Sequence, residues 1–288
     1  MRHMRFCKPV ATLVATFLVA LGACASPVCD EFYARLPNVS RALCEGAQLQ
    51  ASTGRSVKGR PIYTRDVQPE LTRQRVLVIG GIHGDELSSA SLALHWIGLA
   101  QTAPAHTHWR FVPALNPDGL FNRPARRVNA NGVDLNRNFP TPNWQREAAA
   151  YWEGRARKDP RRWPGKRPLS EPETQFLHHE MQRFKPDVIV SIHAPYGVLD
   201  FDGPVEPPQR LGRLRLVQVG VYPGSLGNYS GVHQNVPVVT IELPSATLTP
   251  RDAEMERMWL DLHRWMGETL TQTAATGSLR TEAASHAR

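Results

Sequence analysis

Three short apolar runs each end in a residue that can bind a metal or move a proton. They are "VLVIGGIH" (Val76 to His83), "VIVSIH" (Val188 to His193) and "VVTIE" (Val238 to Glu242). Runs this short and this rich in β-branched residues read as buried strands. Between them lie stretches with helical spacing. Leu87 to Gln101 repeats Leu, Ala and Trp. "SEPETQFLHHEMQRF" opens with acids in its first turn, and "TPRDAEMERMWLDLHRWMGETL" is amphipathic. Strands alternating with helices predict an α/β fold: a mixed, mostly parallel central sheet with helices on both faces. In such sheets ligands gather where the strands end. "WRFVPALNPDG" adds another strand that runs into a turn, whereas Phe121 to about Ser170 is polar and without clear periodicity.

The chain has 288 residues, 41% of them hydrophobic, enough for one or two domains with a proper core. Its first residues are set apart. Arg2, Arg5 and Lys8 precede the apolar stretch "VATLVATFLVALGACAS", which reads as a secretory signal over residues 1–25. "ACA" fits simple cleavage, while "LGAC" fits a lipobox in which Cys24 carries a lipid anchor; the sequence leaves both open. The expected address is the periplasm, or an outer-membrane-anchored lipoprotein, of a bacterium. Of four cysteines, Cys7 goes with the signal and Cys24 is removed or lipidated. Cys29 and Cys44 remain, an even pair in an exported chain, and are expected to form a disulfide. The expected layout is an N-terminal arm over 26–55, a catalytic domain over 56–270 and a disordered tail over 271–288. The net charge of +8 is densest in Arg146 to Pro168. That stretch is either a solvated loop or a contact for an anionic cell-wall polymer. No nucleic-acid-binding motif appears, and nucleic acid is not an expected partner.

His83 and Glu86 have two residues between them, in a turn that opens a helix. That spacing lets a nitrogen and a carboxylate converge on one ion. A catalytic zinc commonly takes two His and one Glu plus a water, and His193 supplies the second histidine. Glu242 is a carboxylate at a buried strand end, a costly position without a function or a partner. It suits the general base that takes a proton from water and passes it to a leaving amine. "RRVNANGVDLNRNFP" (Arg126 to Pro140) is dense in Arg and Asn, donors suited to carboxylates and oxyanions.

"HGDE", "NPDG", "GVDLNRNF", "SIHAP" and "TIELP" stand in one order over about residues 55 to 265. In this the chain resembles the zinc carboxypeptidase family, and within it the murein peptide amidases, which cut between γ-D-glutamate and meso-diaminopimelate. The resemblance implies one Zn2+ on His83, Glu86 and His193, with Glu242 as general base and acid. It implies that Arg127 polarises the scissile carbonyl, that Asn136 and Arg137 grip a substrate carboxylate, and that Asp134 orients His83. Asp200 or Asp202 is expected to meet the distant ammonium of diaminopimelate, with a turn around Gly203 as the alternative. Tyr229 and Tyr222 are candidates for a substrate-capping tyrosine. Two other functions fit parts of the pattern. One is an amidohydrolase of small N-acyl amino acids, like succinylglutamate desuccinylase or aspartoacylase. The other is a non-catalytic module that binds cell-wall peptides.

Overall fold

The computed structural model describes residues 27–103 and 106–285, with side chains over 28–103 and 106–270. The apolar N-terminal run and Cys24 lie outside the described residues. Among the described residues nine strands form: β1 (Gln50–Arg55), β2 (Pro61–Val67), β3 (Gln74–Ile79), β4 (Thr107–Val112), β5 (Val188–His193), β6 (Val198–Asp202), β7 (Arg210–Leu211), β8 (Leu214–Arg215) and β9 (Val238–Glu242). Seven make one sheet in the order β1-β2-β4-β3-β5-β9-β6, and β7 and β8 form a separate small ribbon. The central strands β4, β3, β5 and β9 run parallel, and antiparallel strands close both edges.

Residues alternate across the sheet and build a core on each face. Val76, Val78, Trp109, Phe111, Val188 and Val190 pack toward α3 (Leu87–Thr102) and α7 (Asp252–Ser285). Leu77, Ile79, Val112, Ile189 and Val238 pack toward Phe176, Leu177 and Met181 of α6 (Pro172–Phe184). The middle strands are buried on both sides, which is why they read as continuous apolar runs.

Several elements differ from the sequence reading. The arm packs onto the domain. Its helices α1 (Pro27–Arg35) and α2 (Arg41–Gly46) place Cys29, Phe32 and Cys44 in the same apolar cluster as α3 and α7, and its last residues are β1. The stretch "NPDG" is a short helix, α4 (Pro117–Phe121), capped by Asn116, whose Oδ1 accepts from Gly119 N. The aperiodic polar stretch contains α5 (Trp144–Glu153) and short 3-10 turns. Asp200 and Asp202 lie in β6, paired antiparallel with β9, rather than in a turn. α7 runs from Asp252 to Ser285.

Cys29 and Cys44 are bonded and tie α1 to α2. Closing a loop of that separation contributes about 3 kcal/mol in the chain-entropy account. Cys29→Ala/Cys44→Ala is therefore expected to unfold at lower denaturant, by about that free energy, and to lose its sensitivity to reductant. An unchanged midpoint would show that the arm contributes no stability through this link.

Candidate active site

The "GGIHGDELSSA" turn connects β3 to α3, and its conformation is fixed by its own sequence. Gly81 takes φ +57, a left-handed value that suits glycine, and its N–H donates to Ser89 Oγ. Ser89 Oγ in turn donates to Glu86 O. Gly84 sits where a Cβ would overlap the backbone of Gly119, Leu120 and Arg126. Ser88 N donates to Ala246 O and Ser88 Oγ to Ser245 O, joining the start of α3 to the loop after β9. His83 and Glu86 are thereby brought beside the ends of β5 and β9. There the parallel register pairs His193 with Glu242.

The three candidate ligands converge. His83 Nδ1 lies 2.7 Å from Glu86 Oε1, His193 Nδ1 lies 3.0 Å from Glu86 Oε2, and the two Nδ1 atoms are 3.1 Å apart. All three side chains are buried. The outer nitrogens are engaged elsewhere: His83 Nε2 is 3.1 Å from Asp134 Oδ1, and His193 Nε2 is 3.0 Å from Ser191 Oγ. An Nε2–H aimed at Asp134 leaves the Nδ1 lone pair of His83 pointing inward. Lone pairs and a carboxylate meeting in a buried spot require a positive charge between them. The pKa directions agree. Burial alone would lower His83, and Arg127 lowers it further, but Glu86 and Asp134 outweigh both and raise it. Burial alone would raise Glu86, but His83 and His193 outweigh it and hold it far below the ordinary carboxylate range. Two imidazoles and one carboxylate fit a tetrahedral zinc with one open place.

Asp134 is fully buried and serves three partners. Its Oδ1 faces His83 and accepts from Asn136 N, while its Oδ2 accepts from Arg127 Nε and Nη2, each at 3.1 Å. Burial would raise its pKa; Arg127 and His83 keep it well below the usual value. Glu242 is 9% exposed, and its Oε2 is buried with no hydrogen-bond partner among the described residues. Burial raises its pKa; His193 works against that and Glu86 adds to it. A carboxylate in this state is poised to accept a proton.

One cleft of about 460 Å³ joins these groups. Arg127, Asn136, Arg137, Tyr222, Asp200 and Asp202 line it together with the ligands and Glu242. Arg137 is 6% exposed, yet no carboxylate pairs with it among the described residues. Its Nη1 donates to Asn136 O, its Nε has no partner among the described residues, and its guanidinium lies 4.5 Å from the Tyr222 ring centroid. Burial lowers its pKa. A buried guanidinium without an anion is a site for one. Asn136 Oδ1 accepts from Leu226 N, which fixes the amide at the cleft wall.

Tyr229 is a correction. It is buried in the core, its ring stacked on Phe139 at 5.9 Å, and it does not line the cleft. The π-helical segment Gly227–His233 turns it inward, and Tyr222 is the tyrosine at the cleft. Ser191, behind His193, and Arg162, in the cleft wall, were not singled out from the sequence. Ser191 was legible in principle, because residues two apart on a strand share a face.

The zinc carboxypeptidase family matches residues 47–201, more than half of the chain. The chain belongs to the zinc carboxypeptidase family. Its cofactor is one zinc ion, and His83, Glu86 and His193 are the cluster that fits it among the described residues. This zinc carboxypeptidase is 33% identical to murein peptide amidase A of Escherichia coli (strain K12), over 74% of this chain and 88% of that protein. It is 34% identical to murein peptide amidase A of Vibrio campbellii, over 69% and 81%. The solved murein-tripeptide amidase of Escherichia coli O157 superposes with a TM-score of 0.53 at 30% identity, over 74% of this chain and 89% of that one. Carboxypeptidase A from Helicoverpa armigera shares the fold, with a TM-score of 0.60 at 16% identity, over 77% and 69%.

Proposed function

We propose that this metallopeptidase hydrolyses the γ-D-glutamyl–meso-diaminopimelate amide of cell-wall peptides. The observation that carries the reading is the buried Arg137, without an anion among the described residues, in the same cleft as Asp202, without a cation among them. Arg137 suits the carboxylate next to the scissile nitrogen, with Asn136 beside it. Asp202 pairs with no cation among the described residues. Burial first, and Asp200 second, push its carboxyl up to about 6. An ammonium at the far end of diaminopimelate meets that need. The chain is 33% identical to a protein named murein peptide amidase A, which supports the same substrate class.

The chemistry zinc supplies when bound is polarisation of the carbonyl and a water acidic enough to ionise near pH 7. The chain's own residues do the rest. Glu242 takes the water proton and delivers it to the leaving amine. Arg127 stands by the developing oxyanion, and Asp134 fixes both Arg127 and the His83 ring. Arg137 and Asn136 set the register of the substrate.

The test is turnover of L-Ala-γ-D-Glu-meso-Dap, read as release of free diaminopimelate. Asp202 is neutral below pH 6 and anionic above it, so KM is expected to fall as pH rises through about 6. Asp202→Asn is expected to abolish that limb. Turnover of N-succinylglutamate or N-acetylaspartate, with none of the peptide, would overturn the reading. Peptide binding without zinc or turnover would instead make the chain a binding module.

We further propose that the chain is exported. The N-terminal apolar run and the Cys29–Cys44 bond, which suits an oxidising compartment, support this. Mass spectrometry of the protein from its host should find the first residues removed; an intact Met1 would count against export.

A further inference from the structure

The basic stretch Arg146 to Pro168 is left unused by the chemistry above. It folds as α5 and the 3-10 turn Pro160–Arg162, beside the cleft. Two anchors hold that turn. Arg161 Nη2 donates to Asp85 Oδ2 at 2.8 Å, next to the ligand Glu86. Asp134 N donates to Trp163 O at 2.8 Å, behind the ligand His83. Arg162 lies between these two anchored residues in the chain and lines the cleft.

The other cleft arginines already have assignments: Asp134 for Arg127, and the amine-side substrate carboxylate for Arg137. Arg127 is forked onto Asp134, and Arg137 is buried against Tyr222. Among the described residues Arg162 has only a loose ion pair, 3.6 Å from Nε to Asp159 Oδ2, with side chains 40% and 38% exposed. Asp159 is also occupied, because its Oδ1 accepts from Arg161 N. A long side chain held this weakly can turn toward a bound anion at little cost.

The proposed substrate has such an anion. In a γ-linked glutamyl residue the α-carboxylate stays free, on the acyl side of the scissile carbonyl. An ordinary α-linked residue has no charge there. Arg137 and Asn136 take the carboxylate on the amine side, so a second cation is needed on the acyl side. We propose that Arg162 binds this free α-carboxylate and makes the enzyme selective for γ-glutamyl acids over α-amidated or α-linked peptides. The proposal rests on the cell-wall reading above.

The experiment compares L-Ala-γ-D-Glu-meso-Dap with its D-isoglutamine counterpart, identical except for an amide at that carboxyl. The unmodified enzyme is expected to favour the acid in kcat/KM by about tenfold, as befits a charge-assisted contact at a partly exposed rim. Arg162→Gln should bring the ratio close to one, and Arg162→Lys should restore part of it. Because each ratio is measured on one preparation, loss of folded protein does not move it. Retention of the full ratio by Arg162→Gln, or no preference in the unmodified enzyme, overturns the role of Arg162 and leaves the peptidase reading standing. If the unmodified enzyme cleaves neither peptide, the peptidase reading falls and the Arg162 proposal falls with it.

Discussion

Glu242→Gln is expected to keep its zinc and to lose activity by about 10²- to 10⁴-fold, the span of general acid–base catalysis. The substitution preserves shape and removes a charge at a buried oxygen that has no hydrogen-bond partner among the described residues. The fold should therefore hold. What disappears is the ability to take a proton and give it back. Glu242 also lies outside the cluster of three converging ligand atoms, so its amide should not affect metal content. The loss should fall on kcat, with KM nearly unchanged, because Arg137, Asn136 and Asp202 still position the substrate. Metal analysis and steady-state kinetics on one sample separate the effects. Full activity in this variant would remove Glu242 from catalysis.

The parts of this site that lie on central strands were legible in the sequence. His193 and Glu242 end apolar runs buried on both faces, and a charged residue there stands out from its neighbours. His83 and Glu86 follow the third such run within one turn. What stayed hidden has a common physical cause. β6 carries Asp200 and Asp202 on its cleft-facing side, so a strand of the sheet looks like a polar turn. α5 is a short helix within a basic stretch, with only Trp144 and Ala148 fully buried, so its apolar face is too narrow to show. Arg162 matters through its neighbours' anchors to Asp85 and Asp134, contacts made across long sequence separations.

The tyrosines show the same limit from the other side. Tyr222 and Tyr229 sit seven residues apart in one segment, and nothing in the local pattern separates them. The π-helical turn decides, sending Tyr229 onto Phe139 and leaving Tyr222 against Arg137. A residue's type can be read as chemistry from sequence, but the face it turns to depends on backbone geometry when the period is neither 2 nor 3.6.

His193→Ala is expected to lose zinc and, with it, nearly all activity. The remaining His83 and Glu86 give only two of the three ligands a catalytic zinc commonly takes from protein. With the polarising ion gone, several kcal/mol of transition-state stabilisation goes too, a fall of about a thousandfold or more. The variant should nonetheless fold. The ring it removes contacts polar groups, Ser191, Glu86 and His83, rather than the apolar core. Ser191 keeps its place on β5 between Val190 and Ile192, both fully buried. The partner test is Asp134→Asn, which keeps all three ligands but weakens the hold on the His83 ring and on Arg127. It should cost about 10- to 100-fold in zinc affinity or activity, as expected for a group behind a ligand. The two variants thus differ in kind: one leaves the protein without metal at any practical concentration, the other regains metal when zinc is raised. Zinc retained at full stoichiometry by His193→Ala would mean that His193 is not a ligand. Each result also has a pH signature. Zinc must displace protons that the buried carboxylates help hold on His83, so affinity should weaken as the pH falls.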